Sequence, residues 1–212
     1  MFLFQLPLFV ICVTVVSGDV LTDSAKIAAL KNHNDHRRVI AKGNDKNKDS
    51  ANMPKASNMQ KLVYNKDLEK KAQDWAAQCK FEHTPQTGDH YGQNLYMTSQ
   101  NLPQEQAMTN AGDSWWQELP EKYGGTNVKF DMSIANQGVG HFTQMAWAQC
   151  RSMGCAVQKC NFGTYVVCNY DSGNMINDNI YNTGEPCSAC PQGMECQDAL
   201  CAVKCKKSKK RK

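Results

Sequence analysis

The sequence lacks the short motifs that mark common hydrolases and nucleotide-binding proteins. Its 212 residues contain no H-E-x-x-H, no G-x-S-x-G and no Walker-type phosphate loop. They also contain no internal repeat, no N-x-S/T sequon and no long apolar run beyond the first 18 residues. These absences give no support to a zincin, a nucleophile-elbow esterase or a P-loop enzyme, and N-glycosylation is not expected.

The start of the chain is its one long apolar run. The segment MFLFQLPLFVICVTVVSG carries no charge and ends in small residues. This pattern predicts a secretory signal peptide over residues 1–18, although the basic residues that usually begin one are missing. The run is shorter than the roughly 20 residues that a membrane-spanning helix needs. We therefore expect a secreted, extracellular protein.

The cysteines support export. There are 11, and Cys12 leaves with the signal peptide, so an even number remains. An even number in an exported chain predicts a disulfide framework. Half of these cysteines precede residue 170 and half follow residue 186, in groups of odd size, so an odd number of bridges must join the groups if all pair within the chain. The alternative is a zinc–thiolate site, because Cys187 and Cys190 form a C-x-x-C.

The net charge of +4 hides a basic end. Residues 204–212, KCKKSKKRK, carry seven basic side chains, so the rest of the chain has a net charge of −3. Such a tail is either a solvated end or an attraction site for acidic polysaccharide or anionic lipid. No basic face rich in aromatic residues is present, so a nucleic-acid partner is not expected.

Three stretches have the apolar spacing of amphipathic helices. The first is predicted over Ser24–Lys42, the second closes at Pro85 and Gly88, and the third runs from Pro103 to Pro120. The apolar face of the second helix consists of Leu68, Ala72, Trp75, Ala76 and Cys79, and that of the third of Ala107, Ala111, Trp115 and Leu119.

Strand signals come mostly later in the chain. NLYMTS predicts one short strand, and MGCAVQKC with TYVVCNY predicts a hairpin that turns before Gly163. After Asn182 the composition predicts a loop-rich, disulfide-held tail. Because helices precede most strands, the expected class is α+β, with helices on an antiparallel sheet. Four alternating apolar residues predict a strand or extended lip with one apolar side: Val128, Phe130, Met132 and Ile134.

Three histidines lie in polar surroundings and are candidates for chemistry: His83, His90 and His141. Glu118, near the end of its predicted helix, is the acidic candidate. These residues come from separate segments, so their spacing alone does not bring them together. A single histidine is more often structural or exposed than functional.

Several motifs resemble the CAP superfamily, which comprises cysteine-rich secretory proteins, insect antigen 5 and plant pathogenesis-related protein 1. GHFTQMAW is similar to the first CAP motif at every position. YVVCNYDSGNM resembles the second, with a spacing one residue short and without the usual proline. HNDHRRVIAKG resembles the H-N-x-x-R helix, in the wording of the nematode venom-allergen-like and Ancylostoma-secreted-protein members. GQNLYM is similar to the G-E-N-L strand except at Gln93. The likeness covers about residues 22–205.

The resemblance implies an α-β-α sandwich, which agrees with the order of elements, followed by a short disulfide-rich hinge. The implied boundaries are a signal peptide over 1–18, a CAP domain over 19–182, a cysteine-rich hinge over 183–205 and a basic tail over 206–212. The resemblance also implies a cleft that binds a divalent metal such as zinc through His83, His141 and Glu118. The fourth position falls on Gln93, and an amide in place of a carboxylate weakens the site because it brings a dipole rather than a charge.

The implied metal set argues against an enzyme. A zinc hydrolase needs three protein ligands, an open position and a general base. With the histidines and Glu118 as ligands, Gln93 leaves no acidic base, and Ser133 is merely near His141 in sequence. Gln93 removes the negative charge of the usual carboxylate from the implied metal site. His90, three positions before Gln93, is the candidate to compensate for this loss.

The resemblance implies instead that small hydrophobic ligands bind, sterol at a loop before GHFTQ and fatty acid between two helices. That loop corresponds to Tyr123–Ile134, whose apolar residues either line the ligand site or simply cover the core. A non-enzymatic carrier of sterol or fatty acid is therefore the first functional hypothesis. The second is a protein–protein effector that engages host cell-surface receptors and modulates immunity, and the third is a metal-dependent hydrolase. The residues implied for the ligand site are Tyr123, Val128, Phe130, Met132 and Ile134.

Overall fold

The computed structural model describes residues 20–85 and 91–204. The predicted signal peptide, His90, Cys205 and the basic tail lie outside the described residues. None of the helices in the described ranges is long and apolar enough to cross a membrane. The helices are α1 (Asp23–Ala41), α2 (Lys66–Ala76), α3 (Gln104–Trp116), α4 (Glu118–Lys122), α5 (Met132–Ala135) and α6 (Gly140–Met145). The strands are β1 (Val63–Tyr64), β2 (Gly92–Thr98), β3 (Ser152–Cys160), β4 (Gly163–Tyr170), β5 (Met194–Gln197) and β6 (Leu200–Val203).

The main sheet has four strands in the order β1-β3-β4-β2. Strands β3 and β4 form the predicted antiparallel hairpin, and β2 pairs antiparallel with β4. The predicted sheet is antiparallel except at its edge, where the unpredicted strand β1 pairs parallel with β3. A strand of two residues is too short to leave a periodicity in the sequence.

The sheet is covered on both faces, which confirms the α-β-α sandwich. Helix α2 packs on one face over a small apolar cluster that includes Trp75, Tyr165 and Val167. Helices α1, α3 and α6 lie on the other face over the larger core, to which Val166 and Cys168 belong. Alternate residues of β4 therefore point into different layers, as the two-residue period of a strand requires.

Helix α1 follows the prediction closely. Its first turn is capped by Thr22, whose hydroxyl accepts a hydrogen bond from the Ala25 amide, and Gly43 follows its end at a φ of 71°. Helix α2 is shorter than predicted, because it ends at Ala76 rather than near Pro85. Cys79 takes a left-handed φ of 52°, a conformation that follows helix ends and does not continue them.

The segment after α3 departs from the prediction. Helix α3 ends at Trp116, and Glu118 begins the new short helix α4 instead of ending the previous one. Pro120 lies inside α4 and does not stop a helix. Proline is tolerated there because the amides of a first helical turn have no intrahelical acceptor to lose. Leu119 is buried, in α4 rather than on the face of α3.

The predicted strand over Val128–Ile134 is wrong beyond Phe130. Asp131 caps α5, and its carboxylate accepts a hydrogen bond from the Ile134 amide at 3.0 Å. The first part is extended and forms one bridge, between Lys129 and Asn179. A capping aspartate inside an alternating apolar pattern thus favours a helical turn over the strand.

Within residues 20–85 and 91–204, four disulfides join Cys79 to Cys160, Cys155 to Cys168, Cys187 to Cys196 and Cys190 to Cys201. Each lies within one of the two cysteine groups, which leaves the buried Cys150 and the undescribed Cys205 for the bridge that would join them. The tail contains the β5–β6 hairpin and is held by backbone hydrogen bonds, among them that from the Cys201 amide to the Met59 carbonyl, at 2.8 Å.

A fully buried arginine fixes the centre of the molecule. The Arg37 guanidinium donates five hydrogen bonds of 2.7–3.2 Å to backbone carbonyls from two separate segments. Burial lowers the pKa of Arg37 to about 10, so the group stays charged at neutral pH. The carbonyls belong to Gln60, Met145, Trp147 and Cys150. Arg37 thereby secures the end of α6, the helix that carries His141.

Candidate functional site

Two adjoining cavities open where β2 begins and β4 ends. The larger has a volume of about 530 Å³ and the smaller about 310 Å³. Both are lined by His83, Gln93 and Asn174, so they form one cleft. All four residues predicted for the metal site line the smaller cavity, since Glu118 and His141 join His83 and Gln93 there.

The His141 half of the cleft is organised by a carboxylate. Glu118 Oε1 accepts a hydrogen bond from His141 Nδ1 at 3.0 Å. Glu118 Oε2 accepts two more, from the backbone amides of His141 and Phe142, each at 3.0 Å. These are the free amides of the first turn of α6, so a carboxylate is favoured there. Lys122 adds a weaker contact to Oε1 at 3.4 Å.

The charge of Glu118 is held in a largely buried place. Burial alone would raise the pKa of this carboxyl. The hydrogen bonds from the His141 imidazole and the Phe142 amide outweigh it, with help from the charges of His141 and Lys122, and the net pKa is lowered. Glu118 is thus an ionised residue that orients His141 and has little remaining capacity to bind a ligand directly.

A chain of buried polar groups continues behind His141. Asn94 donates hydrogen bonds to the His141 carbonyl, at 3.1 Å, and to the Tyr170 hydroxyl, at 3.3 Å. That hydroxyl contacts His33 Nε2 at 2.8 Å. Burial lowers the pKa of His33 to about 3, so this imidazole is neutral. The Trp115 ring lies nearly parallel to the His141 ring, with centroids 6.2 Å apart.

The His83 half is organised by an amide at the surface. Gln93 Oε1 accepts hydrogen bonds from the Thr84 backbone amide, at 3.0 Å, and from His83 Nδ1, at 3.1 Å. Gln93 Nε2 donates to the Thr84 hydroxyl at 2.8 Å and to Asn169 Oδ1 at 3.0 Å. All functional groups of Gln93 are therefore engaged, and its amide holds His83 rather than pointing freely into the cleft.

The hydrogen bonds fix the tautomer of both cleft histidines. The Glu118 carboxylate is only an acceptor, so His141 Nδ1 carries a proton. The Thr84 backbone amide is only a donor, so it identifies the Gln93 oxygen, and His83 Nδ1 must also donate to that oxygen. In the neutral rings, each Nε2 then has a free lone pair, which is the form that binds a metal. The two imidazoles line the same cavity, so they are the residues there that could hold a divalent ion, with Glu118 and Gln93 as their supports.

The cysteine alternative for a metal site does not fit. Within the described ranges, Cys187, Cys190 and Cys201 are the one group of three potential donors whose ligand atoms lie within 4.8 Å of one another. Every member is oxidised in a disulfide, with Cys196 as the fourth partner. Because zinc binds thiolates, these sulfurs offer no such ligand.

The predicted ligand loop is mostly interior. Four of its five apolar residues are buried, which agrees with the alternative that they cover the core. The Phe130 ring packs edge-on against Trp147, with centroids 6.2 Å apart. Only Met132 is exposed, by 57%. Contact of this loop with a ligand stays a prediction. The four buried residues are Tyr123, Val128, Phe130 and Ile134.

Several cleft residues were not anticipated from the sequence. Asn94, Asn169 and Asn174 position the cleft through side-chain hydrogen bonds, but isolated asparagines carry no spacing signal. Gly92 also carried no signal in the sequence: a Cβ at this position would lie 2.2 Å from Gln144 Oε1, so a larger residue would force the Gln144 side chain to move. Met175 lies in the second motif and lines the larger cavity, and only its position in the fold reveals this.

Known proteins share this sequence and fold. Residues 30–170 match the family model described as CAP, the cysteine-rich secretory protein family. The chain is 34% identical over 195 residues to Ancylostoma secreted protein of Ancylostoma caninum, covering 88% of this chain and 46% of that protein. It is 35% identical to venom allergen 5 of Vespa magnifica over 176 residues, covering 79% of this chain and 76% of that protein.

Solved structures agree with these relatives. The crystal structure of NaASP2 with Zn²⁺ superposes with a TM-score of 0.81 at 36% identity, covering 86% of this chain and 97% of that one. The present chain spans less than half of the Ancylostoma protein and about three quarters of the wasp allergen. The family match over two thirds of the sequence, the wasp relative and the shared architecture lead to one conclusion. The chain belongs to the CAP, or cysteine-rich secretory protein, family.

Proposed function

We propose that this is a secreted, non-enzymatic protein that binds a small hydrophobic ligand, a sterol or a fatty acid, in its cleft. One observation carries the proposal. Met175 lines the larger cavity, and two more exposed apolar side chains lie next to it in the chain and in the segment that is hydrogen-bonded to it. We call the three the methionine lip: Met132, Met175 and Ile176, exposed by 57%, 60% and 45%. Clustered exposed apolar residues at the mouth of a cavity are typical of ligand entry sites.

The methionine lip comes from two neighbouring segments. The Phe130 amide donates to the Asp178 carbonyl and the Asn177 amide donates to the Phe130 carbonyl, each at 2.8 Å. The segments that carry Met132 and Ile176 are therefore joined by a short backbone ladder. Methionine is flexible and polarizable, so such a surface adapts to irregular apolar ligands.

The larger cavity suits a molecule with an apolar body and one polar end. Its volume of about 530 Å³ lies within the range of small-molecule sites. Trp147, Tyr91 and Met175 supply apolar lining, and His83 with Gln93 supplies polar groups where it joins the smaller cavity. A hydroxyl or carboxylate has hydrogen-bonding partners at that junction.

The arrangement of the histidines supports a non-enzymatic role. Among the described residues, no serine, threonine or cysteine side chain contacts the Nε2 atom of either cleft histidine. The Thr143 hydroxyl, in the same helix as His141, donates instead to the backbone carbonyl of Val139 at 3.0 Å. The Glu118 carboxylate is fully engaged in hydrogen bonds. The Gln93 amide does not ionise near neutral pH, so it does not act as a general acid or base.

Ligand titration tests the proposal. Labelled cholesterol and palmitate are titrated into the wild type and into a Met132→Ser, Met175→Ser double variant. Loss of two half-exposed apolar side chains is expected to weaken binding by about tenfold or more. Met97→Ser is the matched control, since Met97 is also 50% exposed but lies toward the far end of β2, and its affinity is expected to change less than about twofold.

Two results would overturn this assignment. One is the absence of saturable binding of either lipid to the wild type, and the other is equal weakening by the Met97 control. Phe130→Ser is not a suitable test, because Phe130 is only 6% exposed and its loss would disturb the core.

A second candidate function is binding of a divalent ion by His83 and His141. It is favoured by the Nδ1–H tautomers, which leave a lone pair on each Nε2 at the same cavity. When bound, the ion would supply a Lewis acid site. Calorimetric titration with zinc tests this candidate, with His141→Asn as the variant that removes one donor and is expected to abolish measurable heat.

A further inference from the structure

The two disulfides of the C-terminal tail lie side by side. They join Cys187 to Cys196 and Cys190 to Cys201, and we call these four residues the tail cysteine cluster. The Sγ atoms of Cys187, Cys190 and Cys201 all lie within 4.8 Å of one another, so one sulfur of the first disulfide lies beside the second disulfide. A thiolate formed at Cys187 therefore has another disulfide within a short movement.

The first disulfide is open to solvent at its other end. Among the disulfide cysteines in the described part of the chain, only Cys196 is exposed. Cys187 is half-buried and Cys201 is fully buried. In thiol–disulfide exchange a thiolate attacks one accessible sulfur and the other sulfur leaves. A thiolate from solvent therefore attacks Cys196 and releases Cys187, the sulfur that lies beside the second disulfide.

The backbone permits a second pairing of the same four residues. The Cys190 amide donates a hydrogen bond to the Cys187 carbonyl at 3.4 Å, so these two residues are the ends of a four-residue turn. Cys196 and Cys201 are directly opposite each other in the β5–β6 hairpin, so their side chains lie on the same face. The second pairing would place one bridge within the turn and the other within the hairpin.

Both new bridges span distances that a disulfide covers. The Cα atoms at the ends of such a turn are less than about 7 Å apart, those of opposite strand residues about 4.5–5.5 Å, and a disulfide accepts roughly 4.4–6.8 Å. The chain already contains one bridge between opposite strand residues. Cys155 and Cys168 are partners in the β3–β4 register and form a disulfide with their Cα atoms 4.1 Å apart.

We infer that Cys196 is a site of attack by an external thiol and that this attack switches the pairing of the tail cysteine cluster. The thiolate forms a mixed disulfide with Cys196, and the Cys187 thiolate leaves. Cys187 then bonds to Cys190, and the Cys201 thiolate leaves. Cys201 attacks the mixed disulfide at Cys196, which restores the external thiolate. Two disulfides exist before and after, so the switch consumes no oxidant or reductant.

The switch changes what the disulfides hold together. In the structure, both bridges join the turn that carries Cys187 and Cys190 to the β5–β6 hairpin. After the switch no bridge of the cluster joins the turn to the hairpin. The turn then depends on hydrogen bonds such as that from the Ala189 amide to the Ser57 carbonyl, at 3.0 Å. An extracellular thiol thus converts a stapled tail into one whose turn and hairpin are joined only by the main chain.

Cys150 does not supply the attacking thiolate. It is fully buried, and burial raises the pKa of its thiol to about 12, so it stays protonated at neutral pH. Cys205 lies outside the described residues, and a Cys205→Ser variant removes it from the test. An external thiol is therefore the reagent to vary.

Peptide mapping after exposure to a thiol tests the inference. The full chain is incubated with reduced glutathione at neutral pH, and free thiols are trapped with N-ethylmaleimide. Cleavage after Glu185, Glu195 and Asp198 separates residues 186–195 from residues 196–198. These peptides are linked by a disulfide in the pairing of the structure, whereas the switch releases 186–195 with an internal bridge. Glutathione is expected to increase this released product by about tenfold or more.

Two mapping results would overturn the inference. One is that glutathione releases no peptide 186–195, and the other is that this peptide carries two trapped thiols, which indicates reduction without exchange. The disulfides Cys79–Cys160 and Cys155–Cys168 are internal controls, because none of their sulfurs belongs to an exposed residue. They are expected to react at least about tenfold more slowly, and faster reaction of either would also contradict the assignment of Cys196.

A double variant separates the two steps. Cys190→Ser, Cys201→Ser removes the second disulfide, so attack at Cys196 leaves the Cys187 thiol with no disulfide to attack in the cluster. Trapping of Cys187 is expected to rise about fivefold or more above that in the wild type. Equal trapping would show that Cys187 does not pass to the second disulfide.

The source of the thiol is resolved by two parallel arms. One uses glutathione, and the other a small dithiol protein of the thioredoxin type; the faster arm identifies a small thiol or an oxidoreductase as the reagent. Cys205→Ser is expected to leave both rates unchanged within about twofold, and loss of the switch in this variant would assign the attack to Cys205 instead. Because the cluster lies in the tail and not at the cleft, these results are independent of the lipid titration.

Discussion

The two histidines of the cleft are oriented by opposite strategies. His141 is held by an ionised carboxylate, Glu118, that is also bonded to two backbone amides in a largely buried position. His83 is held by a neutral amide, Gln93, at an exposed position between a loop and the start of β2. Both arrangements give the same tautomer, so orientation alone does not require a charge.

The difference lies in what each support contributes to stability. A buried carboxylate whose bonds are satisfied costs much to remove, because it leaves several donors without an acceptor in a place with little water. A half-exposed amide is replaced by water at small cost. The Glu118 half is therefore part of the core, and the Gln93 half is a surface attachment.

The largest expected effect comes from removing the carboxylate. Glu118→Ala should lower the free energy of unfolding by about 3 kcal/mol, since two helix amides and an imidazole lose their acceptor. Gln93→Ala should cost only about 1 kcal/mol. Urea unfolding at neutral pH measures both, with the exposed Glu121→Ala in the same short helix expected to change stability by less than about 0.5 kcal/mol. Equal losses at Glu118 and Gln93 would remove the contrast between the halves.

Low pH should remove the stabilisation that the ionised Glu118 carboxylate gives to the folded chain. The pKa of Glu118 is lower in the folded chain than its usual value of 4.5, so the unfolded chain binds the proton more readily. The stabilisation is complete above pH 4.5 and is lost as the pH falls through the lowered value. The difference in melting temperature between the wild type and Glu118→Gln should therefore shrink from pH 7 toward pH 3. A difference that stays constant across this range would show that the charge of Glu118 contributes nothing.

The smallest expected effect concerns zinc binding at the Gln93 half of the cleft. Gln93→Glu places a carboxylate behind His83, which makes Nε2 more basic, and zinc affinity is expected to rise by about tenfold. Gln149→Glu adds the same charge at an exposed position that lines the larger cavity but not the smaller one, where both imidazoles lie, and should change affinity by less than about threefold. Calorimetry measures both. Unchanged affinity in Gln93→Glu would show that position 93 does not support a metal site.

Regular periodicity made much of the fold predictable. Helix α1 and the β3–β4 hairpin follow from apolar spacing and turn residues, and GHFTQMAW identifies the family. The errors arose where a local cap or a short element competes with a longer pattern. Asp131 starts a helical turn inside an alternating run, and β1 is too short to show a pattern at all.

The site was predictable as a set of residues but not as a set of roles. The resemblance brought His83, Gln93, Glu118 and His141 to one cavity, where the structure places them. It did not distinguish a metal ligand from the group that holds one. That distinction depends on which atom donates each hydrogen bond, and in particular on the Thr84 amide, which no sequence pattern marks.

Successive side chains of β2 point to opposite faces of the sheet, so the two halves of the cleft are supported from different layers. Gln93 contacts Asn169 in the α2 layer, whereas its neighbour Asn94 contacts Tyr170 and the His141 carbonyl in the opposite layer. Substitutions on one side of the strand therefore need no compensating change on the other. An exchange of amide and carboxylate at position 93 is therefore a change of one codon that alters the charge behind His83 and leaves the contacts of Glu118 as they are.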